Sequence, residues 1–198
     1  MIKVYNFLPI PPPLFDFRYI DKEPEIDFLN DLEKKILNTI RNDKKRFEWK
    51  ASRYFVKSFL SNHLKLDPKD ITVLNEPNRK PFVIAGDREF YISISHRNGM
   101  FGVCFNMDFS PFVAIDIEFY EKKNKDFFSD FLNDEELLAD EDRIVEIWSI
   151  KEAFSKMVGR GGDLVFREMT VKNDGIYYFL ANLSVYWIFI KLIKFIIN

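Results

Sequence analysis

Apolar residues recur at three- and four-residue spacing in four stretches of the chain, and between those stretches the pattern shortens to alternation. From 26 to 40, Ile26, Leu29, Leu32, Ile36, Leu37 and Ile40 predict an amphipathic helix. A second helix is expected over 43–64, with Phe47, Ala51, Tyr54, Phe55 and Phe59 on its apolar stripe. Helical spacing returns at 127–138 and at 144–158, the latter closed by Gly159-Arg160-Gly161-Gly162. Short strands are expected at 2–7, 82–85, 90–95, 100–106 and 112–118, with Arg97-Asn98-Gly99 as a hairpin turn, and the chain from Val171 onward favours strands again. The proline-rich segment after the first strand is extended, and no internal repeat, low-complexity segment or long linker stands out. Helices grouped against an antiparallel or mixed sheet make the expected class α+β.

Composition bounds what such a fold can do. With 198 residues, 47% hydrophobic and 30% charged, the chain can bury a real core and is far from disordered compositions. Lys plus Arg (29) against Asp plus Glu (31) leaves a net charge of -2, which disfavours wholesale nucleic-acid binding. A single cysteine, Cys104, excludes an intrachain disulfide and a cysteine-based zinc site. It reads most simply as a small core residue. Only His63 and His96 supply imidazoles, so any metal is held by carboxylates and is a hard cation, Mg²⁺ being the first choice. Prolines interrupt the N-terminus as a signal peptide, and the apolar run 185–197 is shorter than a membrane span and carries Lys191 and Lys194. The expected address is the cytoplasm, with no membrane partner.

Four groups of residues could carry chemistry. Asp116 and Glu118 flank Ile117 in FVAIDIE, and period two puts both carboxylates on one strand face, where a divalent ion would relieve their repulsion; two solvated acids at a strand end fit equally. On the later helix Trp148, Glu152 and Lys156 share a face, a spacing that also suits a plain surface ion pair. His96 ends the alternating Tyr91-Ile92-Ser93-Ile94-Ser95, where an imidazole can meet a phosphate or simply be solvated. Arg46, Lys50, Arg53 and Lys57 form a column along the second helix, either a phosphate-neutralising patch or a solvated face, and Arg79-Lys80-Pro81 presents a further lysine on a turn. Neither GxxxxGK[ST] nor GxGxxG occurs, so nucleotide binding by those loops is not expected.

Taken in order, KKRFEWKASRYFVKSFL, NRKPFVI, YISISHRNG, FVAIDIE, FLNDEEL and WSIKEAFSKMVGRGG resemble the 4'-phosphopantetheinyl transferase superfamily, of the longer, Sfp-like type. The resemblance spans about 44–162, and the pairing of IDIE with WSIKEAFSK after SISH is its most specific part. It implies transfer of the 4'-phosphopantetheine arm of coenzyme A to a serine of an apo acyl or peptidyl carrier protein, with release of adenosine 3',5'-bisphosphate. By motif position Asp116, Glu118 and Glu152 would hold Mg²⁺, with Mn²⁺ as the alternative ion. Glu152 would accept the serine proton and Lys156 would stabilise the departing phosphate. Ser95 and His96 would contact the phosphate or adenine region of coenzyme A, and Lys80, Arg46 and Arg53 its phosphates. Lys151 belongs to the motif but could equally be a surface or carrier-facing charge.

The resemblance further implies a monomer of two similar halves, 1–109 and 110–198, packed as a pseudo-dimer with the active site between them. Two positions depart from the pattern. Arg79 stands where the family usually has glycine before Lys-Pro, and the run from Ser184 has no matching motif. The competing readings are a Mg²⁺-dependent phosphodiesterase, which three acids would also serve, and an inactive homologue that binds coenzyme A or a carrier without turnover.

Overall fold

A computed structural model describes residues 13–76, 80–106, 113–119, 125–159, 165–172 and 175–178. The strand expected at 2–7, the proline-rich segment up to Pro12 and the apolar run 185–197 lie outside them. The described chain is α+β: β1 (Leu14–Tyr19), α1 (Asp31–Thr39), α2 (Asp43–Leu64), β2 (Ile71–Asn75), β3 (Pro81–Ala85), β4 (Arg88–Tyr91), β5 (Ser93–Arg97), β6 (Met100–Phe105), α3 (Lys125–Ser129), α4 (Glu141–Val158), β7 (Met169–Lys172) and β8 (Gly175–Tyr178). The strands form antiparallel sheets ordered β1-β6-β5, β2-β3-β4 and β7-β8. No helix among the described residues is long and apolar enough to cross a membrane.

Capping explains where the long helices begin and end. Asn42 accepts from Lys45 N at 2.9 Å to start α2, and Lys65, at φ 59°, ends it in the left-handed region, so the helix covers the range its apolar stripe predicts. Asp140 starts α4, accepting from Arg143 N at 2.8 Å, and Gly159 closes it at φ 69°. The β5–β6 turn is Asn98-Gly99, both residues at positive φ, as a tight two-residue hairpin demands. Ala51, Phe55 and Phe59 of α2 pack on Val73, Val83, Phe90, Phe101 and Phe105, while Ile144, Ile147, Phe154 and Met157 of α4 build a second core with Phe128, Leu132, Phe166 and Met169.

Several expectations are corrected. The helix expected at 26–40 begins only at Asp31, because Asn30 and Glu33 close a capping box there. The one expected at 127–138 is split into α3 and a single 3₁₀ turn, Glu136–Leu138. Alternation read as one strand over 90–95 divides into β4 and β5, and β1 and β2 are strands that the pattern did not predict.

FVAIDIE is not a strand among the described residues: 113–119 runs along β5 without a backbone ladder. Ile115 N donates to Ser93 Oγ and Ile117 N to Ser95 Oγ, each at 3.1 Å, so serine hydroxyls replace strand carbonyls. Gly102 makes the seat possible, since a Cβ there would lie 2.8 Å from Ile117 Cδ1 and 2.9 Å from that of Ile115. Cys104 packs beneath with Val113 and Ile115, and burial pushes its thiol up to about 12.

A repeat does exist, and side-chain bonding reveals it. In FLNDLE (28–33), Glu33 accepts from Asn30 N at 3.2 Å, Val73 N at 3.0 Å and the Lys57 ammonium, while Asn30 Nδ2 donates to Thr72 Oγ1. In FLNDEE (131–136), Glu136 accepts from Asn133 N at 3.0 Å, Val171 N at 2.9 Å and the Lys151 ammonium, while Asn133 Nδ2 donates to Thr170 Oγ1. Each clasp ties a turn that precedes a long helix to the strand after that helix through a buried ion pair. Lys57 and Lys151 are completely buried, so neither a phosphate-facing column nor a carrier-facing surface is their place.

Candidate active site

Period two along β5 points Ser93 and Ser95 to one side and Ile94 and His96 to the other. The serine side meets 113–119 and the face of α4. There Ser95 Oγ donates to Asp116 Oδ1 at 3.1 Å, Ser149 Oγ to Asp116 Oδ2 at 2.9 Å, and Lys156 Nζ lies 2.6 Å from Asp116 Oδ1. The Lys156 ammonium also donates to Ser95 Oγ at 3.1 Å and reaches the Ile115 carbonyl at 3.5 Å. The Asp116 side chain is only 6% exposed, so this network neutralises a carboxylate in nearly dry surroundings.

Two residues further on, Glu118 turns to the same helix. It pairs with Arg97 at 2.9 Å and accepts from Trp148 Nε1 at 3.2 Å. Glu152, half-buried on α4, differs from both: among the described residues it has neither a hydrogen-bond nor an ion-pair partner. Burial pushes its carboxyl above the ordinary glutamate value, the charges of Asp116 and Glu118 push further, and Lys156 pulls back.

These three acids are the expected metal set. In donor chemistry they fit a hard divalent ion, being oxygen ligands of which two, Asp116 and Glu118, raise the proton affinity of the third, Glu152. They are not gathered for it: among the described residues no group of three or more His, Cys, Asp or Glu side chains could hold a metal ion. Lys156 holds Asp116, and Arg97 holds Glu118.

The other side of β5 opens into a cavity of about 320 Å³ lined by residues that include Lys45, Glu48, Trp49, Arg53, Asn75 and His96. Arg53 is 7% exposed; it donates from Nη2 to Asn75 Oδ1 at 2.6 Å and from Nη1 to Ser52 Oγ at 3.3 Å, and its guanidinium lies 4.5 Å from the centre of the Trp49 ring. Among the described residues its Nε is buried without a partner, and no carboxylate forms an ion pair with it. Burial pulls its pKa down to about 10, against the pull of Glu33. A desolvated guanidinium supported only by neutral oxygens and a ring is a counter-charge short, which suits a cavity that admits an anion. His96 stands at the rim, stacked on Phe101, and desolvation chiefly lowers its pKa below the usual histidine value.

The remaining expected contacts sit elsewhere. Arg46 donates to the Leu37 carbonyl at 2.7 Å and does not line the cavity. Lys80 donates to the Met157 carbonyl at 2.9 Å, joining the turn before β3 to the end of α4, and lies over the Tyr91 ring. Lys50 pairs with Glu23. The four side chains of the basic column are therefore dispersed, each with partners of its own. Three residues hold the acids without having been expected to: Ser149, Arg97, which reads in the sequence only as part of a hairpin turn, and Trp148, which reads only as sharing a face with Glu152 and Lys156.

Residues 112–186 match the 4'-phosphopantetheinyl transferase superfamily, a stretch that holds Asp116, Glu118, Glu152 and Lys156. A domain of that superfamily implies a transferase that works with coenzyme A and a carrier protein. No curated protein matches the chain.

Proposed function

We propose that the chain is an Sfp-like 4'-phosphopantetheinyl transferase, moving the phosphopantetheine arm of coenzyme A to a serine of an apo acyl or peptidyl carrier protein. The carrier serine oxygen bonds to the β-phosphorus. The bond from that phosphorus to the bridging oxygen breaks, and adenosine 3',5'-bisphosphate departs with the electron pair. The observation that carries this reading is the division of labour on β5: Ser95 bonds to the acid and lysine network on one face, and His96 borders the Arg53 cavity on the other.

Asp116, Glu118 and Glu152 would hold Mg²⁺, or Mn²⁺ in its place, and the bound ion would supply charge neutralisation at the diphosphate. Glu152 accepts the serine proton, a role suited to an unpaired carboxylate whose proton affinity is raised. Lys156 stabilises charge on the leaving phosphate. Arg53 and His96 bind coenzyme A in the cavity that they line. Two halves, 1–109 and 110–198, related as a pseudo-dimer within one monomer, account for the twice-used Asn-Glu-Lys clasp.

Incubation with coenzyme A, Mg²⁺ and a panel of apo carriers, read by mass spectrometry, is expected to add one phosphopantetheine to a carrier. Cleavage of coenzyme A with no carrier gain would replace this reading by a phosphodiesterase, and saturable binding without reaction by an inactive binder. In the same assay Arg53→Met should raise KM for coenzyme A about 10- to 100-fold, the worth of a charge-assisted bond, with a smaller change in kcat. An unchanged KM would remove Arg53 from the binding site.

A further inference from the structure

Lys156 lies one turn after Glu152 on α4, the spacing at which a glutamate and a lysine on a helix ordinarily pair. They do not pair here. The Lys156 ammonium instead crosses to 113–119 and donates to Asp116 Oδ1, Ser95 Oγ and the Ile115 carbonyl, leaving Glu152 without a partner among the described residues. Asp116 is correspondingly engaged on both oxygens: Oδ1 takes Lys156 and Ser95, and Oδ2 takes Ser149.

An ammonium and a divalent cation on one carboxylate oxygen compete, because like charges that close repel strongly in partly desolvated surroundings. We infer that Lys156 is a tethered counter-ion occupying the divalent cation's place on Asp116, and that it leaves Asp116 when the cation is taken up. The inference rests on the reading of Asp116 as a metal ligand given above. It accounts for the absence of a formed three-acid group among the described residues although Glu152 senses the charges of Asp116 and Glu118. It also links two roles of one side chain, since an ammonium released from Asp116 is free to donate to the substrate's phosphate.

The lysine's grip lowers the apparent affinity for the cation by the fraction of molecules in which Asp116 is open. Mn²⁺ titration of the full chain without coenzyme A, by electron paramagnetic resonance or calorimetry, reads this directly. Lys156→Gln should bind Mn²⁺ about 10- to 100-fold tighter than wild type, the range set by losing one charge-assisted bond. Lys156→Arg keeps the charge and should bind no tighter than wild type, which keeps the test decisive if the glutamine variant fails to fold. Equal or weaker binding by Lys156→Gln, or tighter binding by Lys156→Arg, overturns the inference while leaving the metal site in place. Absence of saturable Mn²⁺ uptake in wild type and both variants overturns the inference and the metal assignment together, and carrier modification then reports separately on the transferase reading.

Discussion

Lys57→Ala is expected to remove a large part of the protein's stability at room temperature. The Glu33 carboxylate that Lys57 neutralises is fully buried and already accepts from Val73 N and Asn30 N. It cannot turn to water when the ammonium is removed. Breaking a buried pair on one side costs about 3–5 kcal/mol, against a typical domain stability of about 5–15 kcal/mol. Lys57→Met combined with Glu33→Gln should recover much of the loss, because the charge disappears with its partner while an amide oxygen still accepts from the backbone. Lys151→Ala should cost at least as much, since that ammonium also donates to the Phe131 and Phe166 carbonyls. Urea denaturation checks both, and a loss below about 1 kcal/mol for either lysine would mean that its clasp does not hold the fold.

That expectation reverses what spacing alone suggests for these lysines, and the reversal shows where the sequence stops being readable. Helix α2 was legible because its apolar stripe is a local signal. The Asn98-Gly99 hairpin was legible for the same reason. A column of Arg and Lys at helical spacing says only that the side chains neighbour one another. Whether they meet solvent or a carboxylate depends on Glu23, Glu33 and Asn75, which other elements bring in. The twin clasps were invisible likewise, since Asn and Glu three apart are common and only the shared lysine and strand partners give them meaning.

The acid site was half legible. Alternation placed Asp116 and Glu118 on one side of an extended segment, and both do face α4. The strand itself was misread, because Ser93 and Ser95 take over hydrogen bonds that a ladder would have made. Cross-helix choices were out of reach: nothing in WSIKEAFSK tells Lys156 to prefer Asp116 over Glu152.

Glu152→Gln is expected to cut phosphopantetheine transfer about 10²- to 10⁴-fold, the usual worth of a general base, and to leave the fold intact. The second half of that expectation separates this acid from Glu33 and Glu136. Glutamine keeps the shape, and no hydrogen bond or ion pair is lost because Glu152 makes none among the described residues. The pH dependence of stability has a fixed sign. The folded protein holds the Glu152 proton to a higher pH than the unfolded chain does, so the stabilisation is complete below the ordinary glutamate value and is lost as pH climbs through the raised one. Thermal melts in a chelator should therefore show wild type falling behind Glu152→Gln as pH rises through that interval, with the two alike in secondary structure by circular dichroism. A variant that keeps wild-type transfer would remove Glu152 from the chemistry. One that unfolds would make it a structural acid like those in the two clasps.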